Sequence, residues 1–282
     1  MEIRNKYVPD IYLNISHFID HFIMLIFAKA AYDAGLEFGL GYEGIIIFGL
    51  SGFILFGAMA PIAAILADKY SRSTLMVIFH FGVGISAILC SFANSSVELG
   101  IWLGFVGIFA AIYHPVGIAM LLKNSKNLGF RLGINGVFGN LGVAAAPLIT
   151  GYLLLIANWR LSFIIPGFIC LLFGLIFMFA LRPEVQPKSE EKATEKKIPF
   201  APKWQRALFA LALTTTSGGF IFGSITFIIP RYFEIELSNL SSSVAVTGLL
   251  ASVVYAVAGF AQLGAGWLID RFSEKVILFV VG

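Results

Sequence analysis

Apolar residues in this chain run in unbroken stretches of about twenty or more, separated by short polar gaps and without alternation at a period of two. A hydrocarbon core of about 30 Å needs about 20 helical residues to cross it. On that ruler the pattern predicts spans over 11–34, 41–66, 74–92, 97–121, 132–157, 162–181, 206–230 and 244–268. The last stretch, 276–282, reads as the opening of a ninth span. A helix ending there would leave backbone groups unpaired in lipid, so the sequence is expected to be a fragment or a truncated frame. A membrane barrel would alternate polar and apolar residues, and open strands cannot cross lipid, so the spans are helices. The predicted class is an all-α integral membrane protein with about eight full spans and part of a ninth.

Composition agrees. Of 282 residues, 59% are hydrophobic and 12% charged, and the mean hydropathy is +0.90. A soluble surface carries about a quarter of its residues charged, which this chain cannot supply. The net charge of +3 lies scattered through the gaps and forms no stripe, which excludes nucleic acid as a partner. Cys90 and Cys170 fall inside apolar stretches and read as small hydrophobes. The charged N-terminus, MEIRNKYVPD, is followed by an apolar stretch without a small-residue cleavage site, so the first span is expected to be retained.

Of the 19 Lys and Arg residues, all but Lys29, Arg160 and Arg231 fall on alternate gaps. The positive-inside rule makes that side cytoplasmic, with the N-terminus inside, as in a multi-pass protein of a bacterial inner (plasma) membrane. Residues 182–203 are the only long hydrophilic stretch, with Pro183 and Pro187 before a mixed charge run and Pro199 and Pro202 after it. They read as a cytoplasmic tether. The expected organisation is a six-helix bundle over 1–182, a linker over 183–205 and an incomplete second bundle over 206–282.

Two of the basic gaps repeat one another. After the second span the chain reads AILADKYSRSTL, with Asp68, Lys69 and Arg72; after the eighth it reads GWLIDRFSEKVIL, with Gly266, Asp270, Arg271 and Lys275. The aspartates are 202 residues apart, from 68 to 270, which is six spans plus the tether. A small residue four before the aspartate lets two helix ends approach, and the carboxylate can then face the N-terminal dipole of a neighbouring helix. Internal repeats of this kind build many secondary transporters, with the substrate site at mid-membrane.

These loops resemble the GxLaDRxGRR signature of the major facilitator superfamily. Asp68, Lys69 and Arg72 match in the first copy, where Ala64 and Ser71 replace the glycines; Gly266, Asp270, Arg271 and Lys275 match in the second, where Ser273 replaces a glycine. The resemblance implies an MFS-type helical bundle of twelve spans, of which this chain would end inside the ninth. It also implies that the loops gate conformational change, that the fifth span faces the eighth, and that Asp68 pairs with an eleventh helix. A finer resemblance lies in YHPVGIAM (113–120), GINGVFGNLGVAAAPLITG (133–151) and the WRLSF turn (159–163), which are similar to fosmidomycin-resistance-type efflux proteins. It tilts the expectation toward export of a drug or metabolite.

Ionisable residues inside lipid cost several kcal/mol unless they face protein or water, so each is a candidate for function. His17, Asp20 and His21 share one face of the first span through i, i+3 and i+4 spacing. At about 1.5 Å per residue Asp20 lies about 13 Å from the inner boundary, and His114 of the fourth span about 10 Å, so the two can face each other. Pro115 kinks the fourth span and frees a carbonyl near position 111. The alternatives are a proton relay or substrate site on one side, and a satisfied polar brace with a capping histidine on the other. Drug antiporters of the superfamily often carry an arginine in the fourth span; this span has none, so their proton mechanism does not transfer. Lys29 reads as an anchor whose stem reaches the headgroups. His80 reads as a satisfied core histidine. In the fifth span Gly133, Gly136, Gly139 and Gly142 form a smooth strip, with Asn135 and Asn140 as further substrate candidates. Thr214, Thr215, Thr216 and Ser217 either line a cavity or bond back within their helix.

The leading expectation is a secondary transporter, monomeric at full length, that exports a small organic solute by proton-coupled rocking of two halves. The alternative is a non-transporting remnant or a half-transporter serving as sensor or partner. No nucleophile and base, metal-ligand set or phosphate loop is legible, so neither an enzyme, a cofactor nor a metal is expected.

Overall fold

The computed structural model describes residues 3–122, 127–180 and 203–272. Its helices are α1 (Ile3–Glu37), α2 (Tyr42–Ile46), α3 (Leu50–Lys69), α4 (Arg72–Ser91), α5 (Ser96–Ala110), α6 (Tyr113–Leu122), α7 (Leu128–Ile156), α8 (Leu161–Ala180), α9 (Trp204–Glu236) and α10 (Val244–Ile269). Together they give eight helices long and apolar enough to cross a membrane, close to the eight predicted stretches. Most of the predicted linker (183–202), Lys123, Lys126, Lys275 and the expected ninth span at 276–282 lie outside the described residues.

Two spans are interrupted for local reasons. In the second, a 3-10 turn at Ile47–Gly49 joins α2 to α3. Gly49 lies against the ring of Phe27, where a Cβ would come within 2.7 Å of Phe27 Cδ1. In the fourth, the helix breaks into a turn at 111–112, just before His114 and Pro115. Pro115 has no N–H for the carbonyl four residues back, which is why α5 stops there. Capping is also local: Ser95 Oγ accepts from Glu98 N at 3.2 Å, and Glu98 Oε2 accepts in return from Asn94 N at 2.9 Å.

Helix α1 runs through the core. Leu13, Ile23, Ile26, Phe27, Ala30, Ala31 and Ala34 are buried along its length. It packs mainly on α7, while α4 packs on α8 and α5, and α3 on α5. Outward-facing Ile54, Ile101, Phe168 and Phe179 are exposed, which suits lipid. The side opposite the basic gaps is tied by Glu37. Its carboxylate accepts from Trp159 Nε1 at 2.7 Å and pairs with Arg160, whose Nη1 donates to the carbonyls of Ser91 and Ala93 at 2.8 and 2.9 Å.

Lys29 departs from expectation. Its side chain is 1% exposed and pairs with Glu234 of α9, while its ammonium also donates to Thr247 Oγ1 of α10 at 3.1 Å. Arg231 Nη1 donates to the second Glu234 oxygen at 2.8 Å and lies 4.0 Å from the centre of the Tyr32 ring. The lysine therefore does not anchor in headgroups; it links α1 to α9 and α10. Its partner lies 205 residues away in sequence, beyond the reach of a reading span by span.

Candidate functional site

The face of α1 predicted to be polar carries Asn14, His17, Asp20 and His21, and it meets α6 and α7. Asn135 of α7 donates from Nδ2 to Asn14 Oδ1 at 2.8 Å and to Tyr113 Oη at 2.9 Å. Tyr113, fully buried, donates its hydroxyl to the Leu13 carbonyl at 3.0 Å. His17 Nδ1 lies 2.8 Å from the Asn135 carbonyl, and its ring stacks on Tyr113 at 4.8 Å between centroids. Gly139 makes that seat, since a Cβ there would fall 2.6 Å from the imidazole. His21 Nε2 then faces His17 Nε2 at 3.0 Å.

His114 enters from the start of α6. The break before Pro115 sets its ring edge-on to both His17 and His21, at 5.2 and 5.5 Å between centroids. Its Nε2 lies 3.6 Å from Asp20 Oδ2. Asp20 is fully buried, and neither of its oxygens has a hydrogen-bond partner among the described residues. On the far side the cluster meets α9, where Phe222 lies edge-on to His21 at 6.4 Å. His80 stands apart: its Nε2 is 3.0 Å from Ser16 Oγ, and its carbonyl accepts from Cys170 Sγ at 3.2 Å, as a satisfied core histidine should.

Of the predicted polar candidates, His17, Asp20, His21, His114 and Asn135 come together. Asn140 does not join them. Its Nδ2 donates back to the Gly136 carbonyl at 3.0 Å, and its Cβ faces Gly259 of α10. Tyr113 and Asn14 join the cluster from outside the set of polar candidates. Asn14 could have been found, because it lies three residues before His17 on the same helical face. The threonines of α9 bond within their helix, Thr214 to the Ala210 carbonyl at 2.8 Å and Thr215 to that of Leu211 at 2.7 Å.

The predicted glycine strip divides between two neighbours: Gly133 and Gly136, with Gly129 and Gly151 beyond them, pack on α10, whereas Gly139 and Gly142 face His17 and Phe18 of α1. A Cβ on Gly133 would come within 3.0 Å of the Gln262 carbonyl oxygen, and one on Gly151 within 2.7 Å of that of Val244. At the basic end Asp270 accepts from the Gly129 and Phe130 backbone amides, each at 2.8 Å, so its carboxylate caps the N-terminus of α7. Gly266 lies directly against Gly129, whereas Arg271 stacks on Trp267 at 4.2 Å. Asp68 and Lys69 are exposed at the end of α3, and Arg72 begins α4 half-buried. Asp270→Asn is expected to exchange two charge-assisted hydrogen bonds for at most one good one, a loss of about 1–3 kcal/mol. Thermal unfolding in detergent checks this, and an unchanged midpoint contradicts it.

A family model described as Major Facilitator Superfamily matches residues 13–282. An MFS-type transporter of Methanocaldococcus jannaschii is 26% identical over 266 residues, covering 91% of this chain and 65% of that protein. The multidrug resistance protein MdtG of Proteus mirabilis is 25% identical over 234 residues, covering 82% and 58%. The chain thus spans less than two thirds of the length of these relatives. Among solved structures, a bacterial homologue of the human lysosomal transporter Spinster, inward-facing and occupied, gives a TM-score of 0.72 at 19% identity, covering 96% of this chain and 62% of that one. A D-xylose-proton symporter gives 0.61 at 13% identity, covering 94% and 69%. Both show the fold alone. The family match begins within the first span and takes in all eight, and the helices follow the fold of known transporters: the chain belongs to the Major Facilitator Superfamily, whose members are transporters and not enzymes.

Proposed function

We propose that this chain serves a secondary transporter that exports a small organic solute, drug or metabolite, with protons as the driving ion. The observation that carries the reading is the α7–α10 seam. Helix α7 meets α10 through Gly129, Gly133, Gly136 and Gly151 on one side and Gly248, Gly259 and Gly266 on the other, held at one end by Asp270 on the α7 amides. Small residues let helices tilt against each other with little cost in packing, as two halves rocking about a central site require. The His17, Asp20, His21, His114 and Asn135 group lies beside this seam and faces α9, where a solute path between halves would run. The repeated loops, Asp68 with Lys69 and Arg72, and Gly266 and Asp270 with Arg271 and Lys275, act as gates on the basic side, taken as cytoplasmic. The multidrug resistance relatives favour export of a drug.

The test is solute movement in vesicles. Inside-out membrane vesicles carrying the full-length protein are expected to accumulate a fluorescent lipophilic drug when a proton gradient is imposed, and to stop when it is collapsed. Asp20→Asn keeps the side-chain shape and removes the charge, and is expected to lower gradient-driven movement by more than about tenfold, the equivalent of ~1.4 kcal/mol, with membrane insertion intact. Drug movement indifferent to the gradient removes the proton assignment. No movement across a panel of drugs and metabolites favours the sensor or partner reading.

A further inference from the structure

Three imidazoles converge where α1 meets the start of α6. The ligand nitrogens of His17, His21 and His114 all lie within 4.8 Å of one another, and Asp20 stands beside them without a hydrogen-bond partner. We infer that His17, His21 and His114 form a binding site for a divalent transition-metal ion of the zinc class, with the Asp20 carboxylate beside it to balance the charge. The inference goes beyond the transport reading, because it concerns an ion held whether or not solute moves.

The donor set is the first reason. Imidazole nitrogens and a carboxylate suit Zn2+, Co2+, Ni2+ and Cu2+, while Mg2+ and Ca2+ prefer oxygen throughout. Three histidines supply three ligands of a four-coordinate site and leave the fourth position to water.

The second reason is how the histidines are held. His17 is fixed through Nδ1 by the Asn135 carbonyl at 2.8 Å. With Nδ1–H donating there, Nε2 is left as the lone-pair nitrogen, the arrangement that outer partners impose on metal-binding histidines. His21 lies four residues on along the same helical face, and its Nε2 meets that of His17 at 3.0 Å. Metal–nitrogen bonds of about 2.0–2.1 Å at a tetrahedral centre put ligand atoms about 3.3 Å apart, so this pair is already near the required spacing. His114 is the outlying member. Its side chain is 35% exposed, which leaves its ring room to turn inward and close the widest gap.

The third reason is charge. Asp20 is fully buried and unsatisfied in its own surroundings, and its Oδ2 lies 3.6 Å from His114 Nε2. A buried carboxylate is stabilised by a cation held close to it. The other groups close around this point are apolar or neutral: the Tyr113 ring stacked on His17, Phe56 against His114 and Phe222 against His21. None competes for the cation.

The chain contains four histidines, and the fourth, His80, is engaged elsewhere, so metal binding can be assigned cleanly. The experiment is titration of the purified, detergent-solubilised protein, bearing a tag free of histidine, with Co2+ and then Zn2+. The expected result is one equivalent of Co2+ giving the intense visible absorption of a four-coordinate ion, which Zn2+ displaces and excess Mg2+ does not. His21→Asn and His114→Asn, each checked for a single size-exclusion peak, are expected to weaken binding at least about tenfold. His114 is the less buried of the two, so its variant decides the matter if His21→Asn aggregates. Absence of the band in folded wild-type protein overturns the site, as does a band that survives His114→Asn unchanged. The readout needs neither solute nor gradient, so a failure here and a failure of the transport reading are separable.

Discussion

Gly266→Leu is expected to stop transport while leaving the protein in the membrane. A Cβ on Gly266 would lie 2.5 Å from the Gly129 carbonyl oxygen and 3.1 Å from Gly133 Cα, both backbone atoms of α7 that no rotamer change can move. The leucine must therefore push α10 away from α7 at the end where Asp270 caps the Gly129 and Phe130 amides. Overpacking of this kind costs about 1–3 kcal/mol, and loss of the carboxylate contacts adds about 1–3 kcal/mol. Under the proposed function, solute movement is expected to fall more than about tenfold, which ~1.4 kcal/mol of added barrier suffices to do, and the melting midpoint is expected to drop by several degrees. Gly264→Leu is the control: two residues earlier on the same helix, its Cβ would meet nothing within 4 Å. Equal loss in both variants would mean that bulk anywhere on α10 is harmful and that the seam has no special part.

The seam also shows which parts of the structure the sequence makes legible. Spans follow from apolar run length, because lipid imposes one thickness on every helix. The Asp270 contact follows from the family resemblance, which sets the fifth span opposite the eighth and so brings the loop carboxylate to a helix N-terminus. Similar depth lets Asp20 and His114 face each other, and the structure sets Asp20 Oδ2 3.6 Å from His114 Nε2. What depth and period leave open is the direction in which a side chain turns within its layer. Asn135 turns into the histidine cluster and Asn140, five residues later, turns onto Gly259, although the two look alike in the strip. The absence of a metal-ligand set was inferred span by span, where only a His17–His21 pair is visible. The third imidazole arrives from α6, carried inward by the break at 111–112. Tyr113 stands in the sequence only as the first residue of the 113–120 motif, and spacing within one span does not show that its hydroxyl bridges α1 and α7.

Glu234→Leu is expected to cost more stability than any other single change on the side opposite the basic gaps, about 3–5 kcal/mol, because removing one member of a buried ion pair strands the other. Lys29 would be left 1% exposed with Thr247 Oγ1 as its remaining hydrogen-bond partner. Lys29→Met is expected to cost less, since Glu234 keeps Arg231 at 2.8 Å and is 13% exposed. The double variant Lys29→Met with Glu234→Leu restores a neutral, apolar contact and is expected to be more stable than Glu234→Leu alone. A thermodynamic cycle on these three variants, measured by reversible unfolding in mixed micelles, isolates the pair, and strict additivity would show that the ion pair does not couple them. The same cycle bears on transport. Lys29 belongs to α1, Glu234 to α9 and Thr247 to α10, so any opening between α1 and α9 on this side must separate the pair. Without it, the state closed on this side loses a contact that the open state never had. Water-soluble thiol reagents are therefore expected to label a cysteine placed at Phe227, which lies against Phe27 and Phe53 below the pair, faster in the double variant than in the parent. Labelling at an unchanged rate would show that the pair braces the helices without closing the path between them.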